Sequence, residues 1–184
     1  MNPTDFALAH NILFSGMDNK LENLSTRDYI FHEILQEFYP NPVNIFQIGA
    51  IETFQAAWRV GSGWSDLIFG EYIKKHGGAL LISDIDLDHL ANSAFAAQLL
   101  QYPINIAHGD AIHYIEENDY DIYYLDGSND PKETLDQFNK IKHKKCIIVV
   151  DDFSIKGTLL TELKEYQFRI EDVANGVGII DLRD

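Results

Sequence analysis

Five aspartates close short apolar runs along this chain. Asp84 ends ALLISD, Asp110 ends INIAHGD, Asp126 ends IYYLD, and the pair Asp151-Asp152 ends CIIVVDD. Gly49 ends another such run, Val43–Ile48, and Gly61 and Gly63 precede a helix-like segment that stops at Gly77-Gly78. A carboxylate at a strand end can accept hydrogen bonds from both hydroxyls of a ribose. Glycines let the backbone approach a ligand, and a helix N-terminus stabilises negative charge. Asp84 follows Gly63 by 21 positions, close to the roughly 20 that separate a glycine turn from its ribose acid in nucleotide-binding βαβ units. The alternative for the same residues is plainer: turn glycines, and an Asp84 that caps a helix.

Asp151 and Asp152 are adjacent carboxylates, and Asp126 closes the run before theirs. Neighbouring carboxylates repel and raise each other's proton affinity unless a cation or donor lies between them. Oxygen ligands of this kind suit Mg²⁺ or Ca²⁺. Asp126, Asp151 and Asp152 are therefore candidate metal ligands, with Asn129 and Asp130 in the intervening loop. In the competing reading Asp151 faces a pocket while Asp152 caps the next helix. The seven histidines, His10, His32, His76, His89, His108, His113 and His143, show no metal-ligand spacing such as HExxH. His108 and His113 flank Asp110, and either could line a pocket or lie on the surface. Trp58 and Trp64 lie in or beside the glycine turn, where an aromatic ring could attract a cation through its face or pack in the core.

Bulk properties narrow the classes. The chain has 184 residues, 46% hydrophobic and 23% charged, which points to one soluble globular domain over 1–184. It has no apolar run of the roughly 18 residues a transmembrane helix needs. The start, MNPTDFALAHNILF, has no basic n-region and carries Asp5 early, unlike a signal peptide. One cysteine, Cys146, excludes an internal disulfide and a thiolate zinc site, and the expected compartment is cytoplasmic. A net charge of −15 disfavours nucleic acid and membrane surfaces as partners and suits a neutral or cationic small molecule or a divalent metal.

These residues must be held by alternating elements. Residues 1–40 read as a helical arm: a weakly amphipathic stretch with Phe6, Leu8, Ile12 and Leu13, then a helix capped at Ser25 or Thr26, with Tyr29, Ile30, Ile34, Leu35 and Phe38 at helical spacing, closed by Pro40 and Pro42. Such an arm covers a ligand site, forms a homodimer contact or packs on the sheet. Strands are expected at Val43–Ile48, Ala79–Ser83, Pro103–Ala107, Asp121–Leu125 and Cys146–Val150, the last, most apolar one central. Helices are expected at Ser65–His76 with Ser65 as cap, Leu87–Leu100 with Leu90, Ala91, Ala94, Leu99 and Leu100 inward, Ala111–Glu117, Pro131–Ile141 and Gly157–Glu165. The tail forms two short strands joined through Asn175-Gly176. The expected class is α/β: a Rossmann-like, mostly parallel seven-stranded sheet over 43–183, with an antiparallel C-terminal hairpin and helices on both faces.

On these motifs the chain resembles the class I S-adenosylmethionine-dependent methyltransferases, and within them the small-molecule O-methyltransferases. That family's first motif reads roughly acid-x-Gly-x-x-x-Gly-x-Ser-Thr. Here its parts are split between Gln47-Ile48-Gly49-Ala50 and Gly61-Ser62-Gly63-Trp64-Ser65, with IETFQAAWRV inserted. SDIDLDHL resembles the second motif, HGDAIHYI the third and DIYYLDGSND the fourth. The resemblance implies that Gln47, Gly49, Ala50, Gly61, Gly63 and Ser65 cradle S-adenosylmethionine, and that Asp84 holds its ribose while Ile85 packs on adenine. It further implies that Asp110 and Ala111 meet the adenine edge and that Asp126 closes the site. Gln47 departs from the acid usual at its position and brings no charge to the cofactor's ammonium group.

Methyl transfer from a sulfonium needs a nucleophile held in line and, for a hydroxyl, a proton acceptor. Asp126 and Asp151 are the candidate catalytic residues. Metal-binding members of the family show Asp-Asn after strand five where this chain has Asp151-Asp152, so Mg²⁺ enters only as a candidate cofactor. The leading expectation is methyl transfer to a small molecule at oxygen. A non-catalytic protein of the same fold that senses the cofactor or acts as a scaffold is the main alternative. An NAD-dependent oxidoreductase needs GxGxxG directly after strand one, and a serine hydrolase needs a second glycine after Ser65; the chain offers neither.

Overall fold

A computed structural model describes residues 26–52, 65–172 and 175–183. Strands β1 (Val43–Ile48), β2 (Gly78–Asp84), β3 (Ile104–His108), β4 (Ile122–Leu125), β5 (Ile147–Val150), β6 (Arg169–Glu171) and β7 (Val177–Asp181) form one sheet in the order β3-β2-β1-β4-β5-β7-β6. The first five strands are parallel, β7 runs antiparallel beside β5, and β6 pairs antiparallel with β7. This is the mostly parallel sheet with a C-terminal hairpin that the strand and turn signals predict.

Strand periodicity of two divides the core into two layers. Ile45, Tyr124, Ile147 and Val149 face α1 (Thr26–Gln36) and α2 (Ser65–His76). Phe46, Ile48, Tyr123, Leu125, Ile148 and Val150 face the opposite side, with α4 (Ala111–Glu117), α5 (Pro131–Ile141) and α6 (Phe153–Lys156). α3 (Leu87–Leu100) packs beside α2 around Tyr102. A central strand covered on both faces gains from nearly every side chain, about 1.5–3 kcal/mol for each large apolar group removed from water. All four residues of β5 are buried, and so are all four of β4. β4 is the middle strand of the sheet; β5 lies one place further along, between β4 and β7.

α1 packs on the sheet. Ile30, Phe31, Ile34 and Leu35 are buried, and the Phe31 ring meets Tyr124 edge-on at 5.1 Å. Phe31 is a core residue that the helical spacing did not single out. The earlier arm residues Phe6, Leu8, Ile12 and Leu13 lie outside the described residues.

Two expectations are corrected. α3 buries Leu90, Ser93, Ala96 and Ala97, while Ala91, Ala94 and Leu99 are exposed. The stripe is rotated because Ser93, a polar residue, is drawn inward by a buried hydrogen-bond network. No helix spans 157–165: the chain makes the short α6 earlier, then a 3-10 turn at Leu160–Glu162. Gly157 fits directly under the Phe153 ring, where a Cβ would stand 2.4 Å from Cδ2, so it ends α6 instead of starting a helix.

Candidate functional site

The carboxyl ends of β1, β2, β4 and β5 open onto a cavity of about 990 Å³, large enough for a nucleoside-sized ligand. Ligands bind at this edge in open α/β sheets. Its wall includes Gly49, Ala50, Asp84, Ile85, Asp110, Ala111, Asp126, Asp152 and Lys156.

Asp84 anchors the near end. Its Oδ2 accepts from the Ala50 amide at 2.9 Å, and its Oδ1 accepts from the Asp86 amide at 2.9 Å. Nδ1 of His89 lies 3.4 Å from Oδ2. A carboxylate has about four lone-pair positions, so two amides leave capacity for hydroxyl donors. The turn that brings Ala50 to Asp84 depends on Gly49, whose φ is +95° and where a Cβ would stand 2.5 Å from the Asp126 carbonyl oxygen. Only glycine fits there without strain. Ile85, next to Asp84, exposes 79% of its surface at the cavity.

Asp86 and Asp110 are helix caps. Asp86 accepts from the amides of Asp88 and His89 at the start of α3, which holds its carboxyl below the usual range. Asp110 accepts from the Ile112 amide at 2.9 Å while remaining on the cavity wall. His108 and His113 are exposed and do not line the cavity; His89 does. Gly61, Gly63, Trp58 and Trp64 lie outside the described residues.

Gln47 and Ser65 lie beneath the wall. The Gln47 amide donates to Gly49 O at 2.7 Å and to Asp66 Oδ1 at 2.5 Å, while its Oε1 is buried without a partner. Asp66, only 1% exposed, also accepts from the Ser93 hydroxyl, which in turn accepts from the Ile51 amide at 3.0 Å. Burial pushes the Asp66 carboxyl up to about 6, against the opposing pull of the Ser93 and Gln47 hydrogen bonds. Thus a carboxylate does stand beside the first-motif position, supplied from α2. Sequence spacing missed it because Asp66 reads as an ordinary acid in the first turn of a helix.

The far end is a carboxylate cluster around a lysine. Lys156 Nζ lies 2.5 Å from Asp126 Oδ1 and 3.8 Å from Asp152 Oδ2. The Tyr124 hydroxyl donates to Asp151 Oδ2 at 2.8 Å and lies 3.2 Å from Asp126 Oδ2. Asp126 is pushed up to about 7, by burial first and then by the Asp151 charge, with Lys156 opposing both. Asp151 is 1% exposed beneath the wall, and its Oδ1 accepts from the Asp152 amide at 2.8 Å. Asp152 lines the cavity without capping α6 through its side chain; it accepts instead from Asn175 Nδ2 at 3.1 Å. Asn129 and Asp130 are exposed, and Asp130 caps α5. Among the described residues no group of three His, Cys, Asp or Glu is placed to hold a metal ion. Mg²⁺ does not fit this donor set, because an ammonium group already sits against Asp126. Lys156 and Tyr124 were missed by sequence reading: a lysine five residues past an acid looks like surface, and Tyr124 like core.

Sequence comparison matches no family model and no curated protein. Similar folds are found among solved structures. An S-adenosylhomocysteine-bound methyltransferase from Podospora anserina, PaMTH1, aligns with 100% of this chain and 89% of its own, at 15% identity and a TM-score of 0.62. A candidate O-methyltransferase from Klebsiella pneumoniae covers 98% of this chain and 87% of its own, at 10% identity and 0.62. A methyltransferase from Geobacter sulfurreducens covers 95% and 87%, at 13% identity and 0.58. At these identities the likeness is one of fold: these methyltransferases share the Rossmann-like, mostly parallel sheet described above.

Proposed function

We propose that the chain, having this fold, is an S-adenosylmethionine-dependent methyltransferase that works in the cytoplasm on a hydroxyl oxygen of a small molecule. The observation that carries the reading is Asp84. It closes β2 on the wall of a nucleoside-sized cavity, is held by the Ala50 and Asp86 amides, and stands next to the exposed apolar face of Ile85. Those are the parts a ribose and an adenine ring need. The wall also carries Glu52, Asp86, Asp110, Glu133 and Asp152 against few cationic groups, which favours a sulfonium and an ammonium over an anionic ligand. The same charge argues against nucleic acid and membrane partners.

The cofactor, when bound, supplies an electrophilic methyl carbon. The chain's part is to orient and to move a proton. Asp126 would take the proton of the acceptor hydroxyl as that oxygen receives the methyl group the bound cofactor would supply. A proton affinity near neutrality suits a general base. Gln47 gives some support to a second reading, a cofactor-binding sensor without turnover, because it brings no charge where the resembled family has an acid.

Isothermal calorimetry with S-adenosylmethionine and S-adenosylhomocysteine, then turnover on a panel of catechols and hydroxy acids, separates the readings. Binding with methylation supports the enzyme, and binding without turnover across the panel supports the sensor. No heat at millimolar ligand removes both.

A further inference from the structure

We propose that Lys156 is the resident cation of the acceptor end of the cavity, fixing the Asp126 carboxylate so that this site works without a divalent metal. The role in catalysis rests on the methyltransferase reading; the claim about the cation does not.

Placing an ammonium group in a protein interior is unfavourable unless carboxylates compensate it. The Lys156 side chain is 3% exposed, yet it reaches the cavity wall, with Asp126 at 2.5 Å and Asp152 at 3.8 Å. The backbone sets it there. Asp152 has a left-handed φ of 47°, and its carbonyl accepts from the Lys156 amide at 2.9 Å. That short turn points the lysine back over the ends of β4 and β5.

The carboxylates around the ammonium group already have partners of their own. Asp151 directs one oxygen to the Tyr124 hydroxyl and the other to the Asp152 amide, below the wall. Asp152 receives the Asn175 amide group. A divalent ion of the Mg²⁺ type needs near-octahedral oxygens at about 2.1 Å, and entry here would require expelling a paired ammonium. Lysine is a point charge with three donors. Asp126 and Asp152 face it on the protein side, and a further N–H can serve an acceptor oxygen beside Asp126. Lys156 is thus a positioning residue that acts through Asp126.

The test is electron paramagnetic resonance titration of Mn²⁺, a stand-in for Mg²⁺, into the full chain with and without S-adenosylhomocysteine. All Mn²⁺ is expected to stay free in both cases; a stoichiometric bound signal would overturn the proposal. A second arm uses Lys156→Ala, with circular dichroism and S-adenosylhomocysteine calorimetry confirming a folded chain. Removing the ammonium leaves carboxylates facing a vacated cation position. Mn²⁺ affinity is therefore expected to rise about tenfold or more, and added Mn²⁺ to raise the unfolding temperature. A folded Lys156→Ala that still ignores Mn²⁺ overturns the assignment, and an unfolded variant leaves the decision to the wild-type titration. Failure of the methyltransferase reading would show separately, as absence of S-adenosylhomocysteine binding in the wild type.

Discussion

The Gln47 amide donates to the Asp66 carboxylate at 2.5 Å, and both side chains are closed to water. The pair carries one negative charge, shared with the Ser93 hydroxyl. Gln47→Glu would place two carboxylates in contact in the interior, and at least one would have to keep its proton. The variant is expected to lose about 3 kcal/mol or more of stability near pH 8 and less near pH 5. Urea denaturation at the two pH values reads the difference.

Asp66 also gives the chain a pH dependence whose sign is fixed. Its folded value, about 6, lies above the 3.8 of an ordinary aspartate. The folded state therefore binds the proton more tightly, and the group's favourable contribution is present below about pH 4 and lost as pH rises through about 6. The contribution lost is about 3 kcal/mol. Asp66→Asn keeps the shape and removes the titration. The stability of wild type minus that of Asp66→Asn is expected to fall by up to that amount between about pH 4 and about pH 7.5, measured by urea denaturation.

Asp84→Ala removes the acceptor of the Ala50 amide as well as the proposed ribose ligand. Hydrogen bonds to a charged group contribute about 1.5–3 kcal/mol each, so calorimetry is expected to show S-adenosylhomocysteine binding weakened about 100-fold. An unchanged affinity would take the sugar away from Asp84.

Gly49→Ala meets both a φ of +95° and the Asp126 carbonyl oxygen. A destabilisation of about 1–3 kcal/mol is expected, together with weaker cofactor binding, because the same turn delivers the Ala50 amide. Thermal unfolding and calorimetry on one variant measure the two effects.

Much of the fold was legible because it follows from local rules. Val43–Ile48, Ala111–Glu117 and Pro131–Ile141 are found with the bounds read from the sequence. Asn175-Gly176 marks the turn between the last two strands. What could not be read depends on contacts across the sheet. Ser93 faces inward where Asp66, 27 positions away, accepts the hydrogen bond from its hydroxyl. Gly157–Glu165 reads as a helix, but Phe153 wedges against Gly157 and Gly178, and the chain makes a single helical turn before Gly157 instead. The same holds for the site. The strand-end acids could be seen as candidates from their spacing. The lysine that meets Asp126, and the tyrosine that bridges it to Asp151, could be found only once β4, β5 and α6 were side by side.

Phe153 has a wider reach than its place in the core suggests. Its ring fills the space over Gly178 in β7, where a Cβ would come within 2.0 Å, and its amide donates to Gly176 O at 2.9 Å. The Ser154 amide donates to Asn175 O at 2.9 Å. The turn that carries Lys156 is therefore moored to the last ribbon of the sheet. Putting any methyl-bearing residue at position 178 would push against the Phe153 ring and so against the short turn that holds Lys156 to Asp126, though neither of those two residues had been altered.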